Sequence, residues 1–507
     1  MDIPKEIKEL SAELEKNKFE AYLVGGCVRD ILLGKGPKDW DITTNAKPEE
    51  IQKIFPESVY ENSFGTVGVK TGSEDPALKI VEITTYRLEG RYTDKRHPDE
   101  IKFAKTIEED LARRDFTVNA MAVQLTIDTE QLTHGRKLKD ESQMSNVGGQ
   151  MLRVVDPFGG QEDIENKVIK AVGNPAERFQ EDALRILRAV RFMAQLDFSI
   201  EKNTETAIRE NAGLLEFISK ERIRDEFSKI ITAENAVDGI REMQRLGLLK
   251  YVVPELETGV GVGQNRHHVF TVFDHNVKSL EYAVKEKFLL HLRLAALLHD
   301  VGKPKSKRGE GEFCTFYGHQ VIGERMAVEI LDRLKYPKEM IEKIALLIRE
   351  HMFVYDPETV TDAGARRLLR RVGPENMDDL FKLREADRIG SGVPKAQPYR
   401  LRHLKFRIEK VSKDPISAKM LEVDGADIMR EAGLEPCPKI GYILAVLLEE
   451  VLDDPSVNSK EILINRIKTL AIMDERKLAE MAKFARKSAD EAQTKVEEEI
   501  KKKYFVE

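Results

Sequence analysis

Two aspartates one residue apart, Asp39 and Asp41, follow the glycine pair Gly25 and Gly26 in the stretch LVGGCVRDILLGKGPKDWDITT. In an extended segment, side chains two apart leave from one face, so both carboxylates converge while Trp40 faces away. Hard divalent cations prefer oxygen ligands, and such a pair suits magnesium in phosphoryl transfer. The double glycine, at a strand end, lets backbone N–H groups approach a phosphate closely at a helix start, with Arg29 and Asp30 on the helix that follows. An Asp-x-Asp by itself marks a surface turn more often than a metal site. The combination within 17 residues is what places phosphate-binding and metal-binding groups in reach of one another.

A second concentration of chemistry lies further along. Seven of the ten histidines fall between His267 and His351. Within that window LAALLHDVGKP places His299 and Asp300 at the end of an apolar helix, with His275 upstream in FDHNV and Asp387 downstream in EADRIG. This arrangement resembles an HD phosphohydrolase domain. The resemblance implies that His275, His299, Asp300 and Asp387 hold a divalent metal such as Mg2+, Mn2+, Ni2+ or Co2+, that His319 and His351 complete a second position, and that a phosphoester is hydrolysed there.

The elements that must position these groups divide the chain. Its 507 residues are too many for one core. Short β-rich runs (AYLVGG, VGVKT, LKIVEITTY, MAVQLTI, LRVVD) predict an α/β head over 1–170. From Asn174 the apolar residues recur at three and four, in EDALRILRAVRFMAQL, KERIRDEFSKII and AVDGIREMQRLGLL, which predicts a helical neck over 171–262. The glycines of ETGVGVGQNRHH mark a joint before a body over 263–395, and a helical tail follows over 396–507. Residues from Asp474 to the end read as a charged, solvated helix. Thr126 to Gly149 reads as a polar loop or hairpin. The arginines and lysines between Arg366 and Arg407 form a basic stretch suited either to RNA or to a solvated helix surface.

A net charge of −7 argues against indiscriminate polyanion binding, although a local basic surface still suffices for RNA. The three cysteines form no CxxC pair, so no zinc ribbon or disulfide framework is expected. No apolar run approaches the ~20 residues that span a bilayer, so a membrane role is not expected, and the start lacks the pattern of a secretory signal. The expected compartment is cytoplasmic. The oligomeric state is not legible.

The glycine–aspartate stretch is similar to the signature of the class II tRNA nucleotidyltransferases (the CCA-adding enzymes) and their bacterial poly(A) polymerase relatives. VEITTYRLEGRYTDKRHPDEIKF, EDLARRDFTVNAMA, DPFGGQEDI, RFQEDALRILRAVRF and ERIRDEFSKI resemble further motifs of that family, in its order. The resemblance implies a polymerase β-like head in which Asp39 and Asp41 hold Mg2+ against an incoming triphosphate, with Glu82 a further carboxylate beside them. It implies that Gly25, Gly26, Arg29, Arg114, Asp115 and Asn119 meet phosphate and ribose. Asp182 and Arg185 would share a helix face and present a base-like edge that selects CTP or ATP, with Glu181 steadying Arg185 and with Arg188 and Arg191 nearby. The segment from Arg87 to Pro98 resembles the family's loop associated with A incorporation, which disfavours C-only addition. Cys437 stands where the family commonly has glycine. The expected function is CCA addition to the tRNA 3′ end from CTP and ATP. The alternatives are an A-adding enzyme or poly(A) polymerase, and a metal phosphohydrolase whose head only binds RNA.

Overall fold

The computed structural model describes residues 3–60, 65–89, 101–125, 144–147, 150–265, 269–412 and 421–506. The chain forms two units. One comprises 1–348 with 390–392, and the other 349–389 with 393–507.

The first unit opens with the helix Lys5–Lys16, which turns Ile7, Leu10 and Leu14 inward. A mixed sheet follows, with strands β1 (Tyr22–Val24), β2 (Asp41–Thr44), β3 (Ser58–Tyr60), β4 (Thr66–Lys70) and β5 (Ile80–Thr85). A separate two-stranded ribbon pairs β6 (Arg87–Glu89) with β7 (Ile101–Phe103). Strands β8 (Ala122–Gln124), β9 (Met144–Val147) and β10 (Gln150–Val155) complete the main sheet in the order β3-β4-β5-β2-β1-β8-β10-β9. β2 and β5 run parallel, and the other described pairs of this sheet are antiparallel. Leu23, Ile42, Val67, Val81 and Ile83 are fully buried along its centre, so apolar side chains fix the register that the site needs. Residues 90–98 of the loop associated with A incorporation, and residues 126–143 and 148–149 of the polar segment, lie outside the described residues.

Helices take over from Asn174, as the periodicity predicts. Pro175–Glu181, Leu184–Leu196, Lys202–Asn211, Lys220–Thr232 and Ala236–Arg245 come first, and Val272–Lys285, Leu290–Leu298 and His319–Arg333 follow. The fold class is therefore the expected one, an α/β head followed by helices. No described helix is long and apolar enough to cross a membrane.

The second unit is helical. Leu421, Ile428, Ile443, Val446, Leu447, Leu463, Ile467, Leu470, Leu478 and Ala482 build its core. The terminal helix Glu475–Tyr504 begins on an Asp474 cap and contributes Leu478, Ala482, Ala485 and Ile500 to buried positions, so it is packed along one face and not solvated all round. Cys437 is the exposed residue preceding the helix Pro438–Asp453, with extended φ and ψ of −149° and 162°, a conformation that does not require glycine.

Candidate active site

The glycine turn is built by necessity. Gly25 holds φ +76°, and a Cβ there would stand 2.8 Å from Arg114 Nη1 and 3.9 Å from Asp41 Oδ2. The missing side chain leaves the space that Arg114 Nη1 occupies beside Asp41. On the helix Gly26–Leu32, Arg29 donates from Nη1 to Asn119 Oδ1 at 2.7 Å and from Nε and Nη2 to Asp30 Oδ1 at 2.8 and 2.7 Å.

Asp41 is the first residue of β2 and stands in register beside Glu82 on the parallel strand β5. Asp39 lies in the turn before β2 and is exposed, whereas Trp40 between them is buried. Asp39, Asp41 and Glu82 line one cleft of ≈ 1320 Å³ together with Gly25, Gly26 and Arg29. Burial raises the Asp41 carboxyl above its ordinary range; Arg114 opposes this and the neighbouring Asp39 reinforces it. Among the described residues the three acids do not close into a set whose oxygens all lie within 4.8 Å. An all-oxygen donor set with two like charges side by side, one of them desolvated, fits a hard divalent cation.

The cationic wall comes from two elements. Arg114 donates to Asn119 O at 3.5 Å and Asp110 Oδ2 at 3.4 Å. Asp115 turns elsewhere: its Oδ2 accepts from Arg188 Nε at 2.6 Å, and its Oδ1 accepts from Phe116 N at 2.9 Å and Asn119 Nδ2 at 3.4 Å. Burial would raise this carboxyl, but Arg188, Arg185 and Arg191 outweigh it and hold it down at about 2. Arg191 pairs with Glu226 at 2.9 Å, and burial together with Arg188 lowers its guanidinium to about 10.

The expectation that Asp182 and Arg185 share one helix face is corrected. The helix Pro175–Glu181 ends, Asp182 is extended with φ −141°, and a new helix runs over Leu184–Leu196. The cause is local: Asp182 Oδ1 accepts Leu184 N at 3.1 Å, the competing side-chain bond that makes Asp a helix starter. Asp182 also takes Arg222 Nη1 and Nη2 at 3.2 and 2.7 Å. Arg185 Nη1 donates to Glu181 Oε2 at 2.5 Å and Arg178 O at 3.2 Å, and its Nη2 donates to Arg113 O at 3.2 Å. The break keeps Asp182 and Arg185 at the same cleft while seating them on different segments.

Arg222 and Phe192 are among the lining residues that the sequence motifs left without a role. Arg222 stood in the quoted ERIRDEFSKI without an assigned task. Phe192 is flanked by the guanidinium carbons of Arg29, Arg188 and Arg191 at 5.4, 5.4 and 4.1 Å from its ring centroid. The spacing of arginines four and one before an aromatic was its signal.

In the histidine-rich region, Nε2 of His275 lies 2.9 Å from Nε2 of His299 and 3.0 Å from Asp300 Oδ2. His319 Nε2 lies 3.2 Å from Asp300 Oδ1, and Lys303 Nζ lies 2.6 Å from Asp300 Oδ2. His299 Nδ1 faces Ala296 O at 2.9 Å and His319 Nδ1 faces Phe316 O at 2.8 Å. Outer nitrogens held by carbonyls, with inner nitrogens converging on a carboxylate, fit a divalent transition metal. The remaining two expected ligands belong to the other unit. There Asp387 accepts from Arg384 Nη1 at 2.5 Å, and His351 is buried. His267 and His268 lie outside the described residues.

Comparison with known proteins matches the geometry to a family. A poly A polymerase head domain model matches residues 21–170, a model described as the probable RNA and SrmB-binding site of polymerase A matches 197–259, and an HD domain model matches 268–389. The CCA-adding enzyme of Ligilactobacillus salivarius is 33% identical over 479 residues, 92% of this chain and 98% of that one. The A-adding tRNA nucleotidyltransferase of Deinococcus radiodurans is 32% identical over 442 residues, 85% of this chain and 91% of that one. The crystal structure of the Bacillus stearothermophilus CCA-adding enzyme in complex with CTP aligns with a TM-score of 0.55 at 26% identity, covering 92% of this chain and 99% of that one. Because that similarity to the Ligilactobacillus salivarius enzyme runs along nearly the whole of both chains, the chain belongs to the CCA-adding enzyme family of tRNA nucleotidyltransferases.

Proposed function

We propose that the cleft adds C and A, from CTP and ATP, to the 3′ end of tRNA. The observation that carries this reading is the register of Asp41 beside Glu82, with Asp39 two residues away, facing the arginines of the neck across one cleft. Asp39 and Asp41 would hold Mg2+, with Glu82 beside them, and a bound ion would supply charge neutralisation at a triphosphate and a lowered pKa for an attacking hydroxyl. Arg29, Arg114 and the backbone of Gly25 and Gly26 grip phosphate oxygens, and Asn119 addresses the ribose. Asp182 and Arg185 present the edge that reads the base, Glu181 fixes Arg185, and Asp115 fixes Arg188. Arg191, tied to Glu226, supports the same wall.

In the division into head (1–170), neck (171–262), HD body (263–395) and tail (396–507), the first three parts are supported by the ranges of the three family models. His275, His299, Asp300 and Asp387, all inside the HD match, are the proposed ligands of a second, hydrolytic site, with His319 and His351 as further ligands. The free cysteines accord with a cytoplasmic setting.

The A-adding reading is favoured by one observation, the Deinococcus radiodurans relative. Incubating the enzyme with tRNA that ends before CCA, with CTP and ATP offered separately and together, decides between them. Incorporation of two C and then A is expected, and failure to use CTP overturns the proposal. Asp39→Ala with Asp41→Ala should abolish addition and spare phosphoester hydrolysis, whereas His299→Ala with Asp300→Ala should do the reverse.

A further inference from the structure

Strand register places an unassigned strip of surface beside the acids. Val59 on β3 pairs with Gly68 on β4, Gly68 with Glu82 on β5, and Glu82 with Asp41 on β2, so these positions form one row across the sheet. Residues opposite one another in a ladder leave from the same face. Burial identifies that face: Ile80 and Glu82 are exposed, while Val81 and Ile83 on the same strand are fully buried. Ile80 is therefore on the side of the acids, two residues from Glu82 and about 7 Å away along an extended strand. It pairs with the exposed Lys70 on β4. Ile80 and Val59 are 50% and 56% exposed, and the position between Val59 and Glu82 is Gly68, which carries no side chain.

A lone exposed aliphatic side chain needs no explanation. Two on the face that carries the acids, with a lysine in register, are different, and the chemistry of the cleft says what should lie on them. The groups that cradle phosphate stand on the other flank of the acids. Gly25 and Gly26 follow β1, which neighbours β2 on the side away from β5, and Arg29 is on the helix that starts there. In a nucleotidyl transfer the attacking and leaving oxygens stand roughly in line across the phosphorus. A triphosphate whose leaving end is held beside β1 therefore takes its attacking hydroxyl from the β5 flank, over β4 and β3. That flank offers aliphatic side chains to the apolar faces of a base and ribose, and an ammonium to the phosphate that links the last two nucleotides.

We propose that Ile80, Val59 and Lys70 seat the 3′-terminal nucleotide of the acceptor RNA, the aliphatic pair against its base and ribose and Lys70 on its 5′ phosphate. The proposal rests on reading the cleft as the site of nucleotide addition. The test uses the full-length protein with Mg2+, CTP and a tRNA that ends before CCA. Ile80→Ser with Val59→Ser should raise KM for the tRNA about 10-fold while leaving KM for CTP unchanged. Ile80→Val with Val59→Ile should keep the wild-type tRNA KM. Lys70→Gln should reduce the slope of log KM for tRNA against log salt by about 0.7, the share of one single-strand phosphate. An unchanged tRNA KM in the serine variant, an equal rise in both KM values, or an unchanged salt slope overturns the seat. Photo-crosslinking of tRNA that carries 4-thiouridine at its last position reads the seat without turnover. If the wild-type protein adds no nucleotide to any RNA, the reading of the cleft fails, and crosslinks alone decide: adducts on Ile80, Val59 or Lys70 support the seat, and their absence overturns it in favour of a protein-facing surface.

Discussion

Asp182 and Arg222, forty residues apart in the chain, are joined through both carboxylate oxygens at 3.2 and 2.7 Å. The acid proposed to read the base is thus oriented by a guanidinium from another helix, in a partly buried setting where a two-point pair is geometrically specific. Arg222→Ala leaves that carboxylate free to rotate. The expected outcome is a fall of ~10-fold or more in discrimination against GTP and UTP, with CTP and ATP addition retained. Single-nucleotide incorporation with each of the four triphosphates measures it, and unchanged selectivity removes Arg222 from the reading of the base. Arg222→Lys should recover only part of the loss, because an ammonium cannot make the planar two-point contact.

Trp40 is the chain's single tryptophan, and it sits buried between Asp39 and Asp41. Any cation held by the two acids therefore binds beside the one tryptophan, whose emission is excited selectively at long wavelength, apart from the tyrosines. Mn2+ with a non-hydrolysable CTP analogue should quench its emission in a saturable way that excess Mg2+ reverses. Asp39→Ala with Asp41→Ala should abolish the saturable part and leave the emission maximum of the free protein in place. Equal quenching midpoints in both proteins would remove the acids from the metal site.

Phe192 sits among three guanidinium groups that would otherwise repel one another. The negative face of the ring offsets part of that repulsion. Replacing it with mono-, di- and trifluorophenylalanine keeps the shape and drains the face. KM for the nucleotide should rise stepwise, roughly twofold to tenfold across the series, with Tm nearly constant. A flat KM series would reduce Phe192 to a packing residue.

The Asp115 carboxyl, held at about 2 by its arginines, titrates well below the ~3.9 of an unfolded chain. A depressed folded value contributes stability that is complete above the unfolded value and is lost as pH falls from ~4 toward 2, about 2–3 kcal/mol in all. Asp115→Asn should lower Tm equally at pH 7 and pH 5, and the gap to the wild-type protein should narrow at pH 3. Trp40 fluorescence on heating reads this, and a gap independent of pH from 7 to 3 contradicts the assignment.

The acid pair and the glycine turn were legible because their chemistry is local, within a few residues of one another, and the helices were legible from their apolar period. Local spacing could not state what the fold adds at long range, and Glu82 entered only through the family resemblance. Glu82 stands beside Asp41 because β2 and β5 run parallel, and no spacing in the sequence states that pairing. The partnership of Asp115 with Arg188 spans 73 residues and that of Asp182 with Arg222 spans 40. The helix break at Asp182 was missed for a different reason: the EDxxR pattern satisfies helical spacing, but the carboxylate's bond to Leu184 N outcompetes continuation.

The bond between Asp115 and Arg188 also bears on how such a chain is dissected or recombined. One partner precedes residue 170 and the other follows it, and the carboxylate is deeply desolvated. Removing everything beyond that seam strands a buried anion without the arginine that pairs it, a defect on the order of 3–5 kcal/mol. The catalytic portion is consequently no transplantable cassette: chimaeras joined at residue 170 should misfold or lose activity unless the donor supplies its own counter-charge, whereas junctions placed beyond Leu196 carry the compensating arginine along.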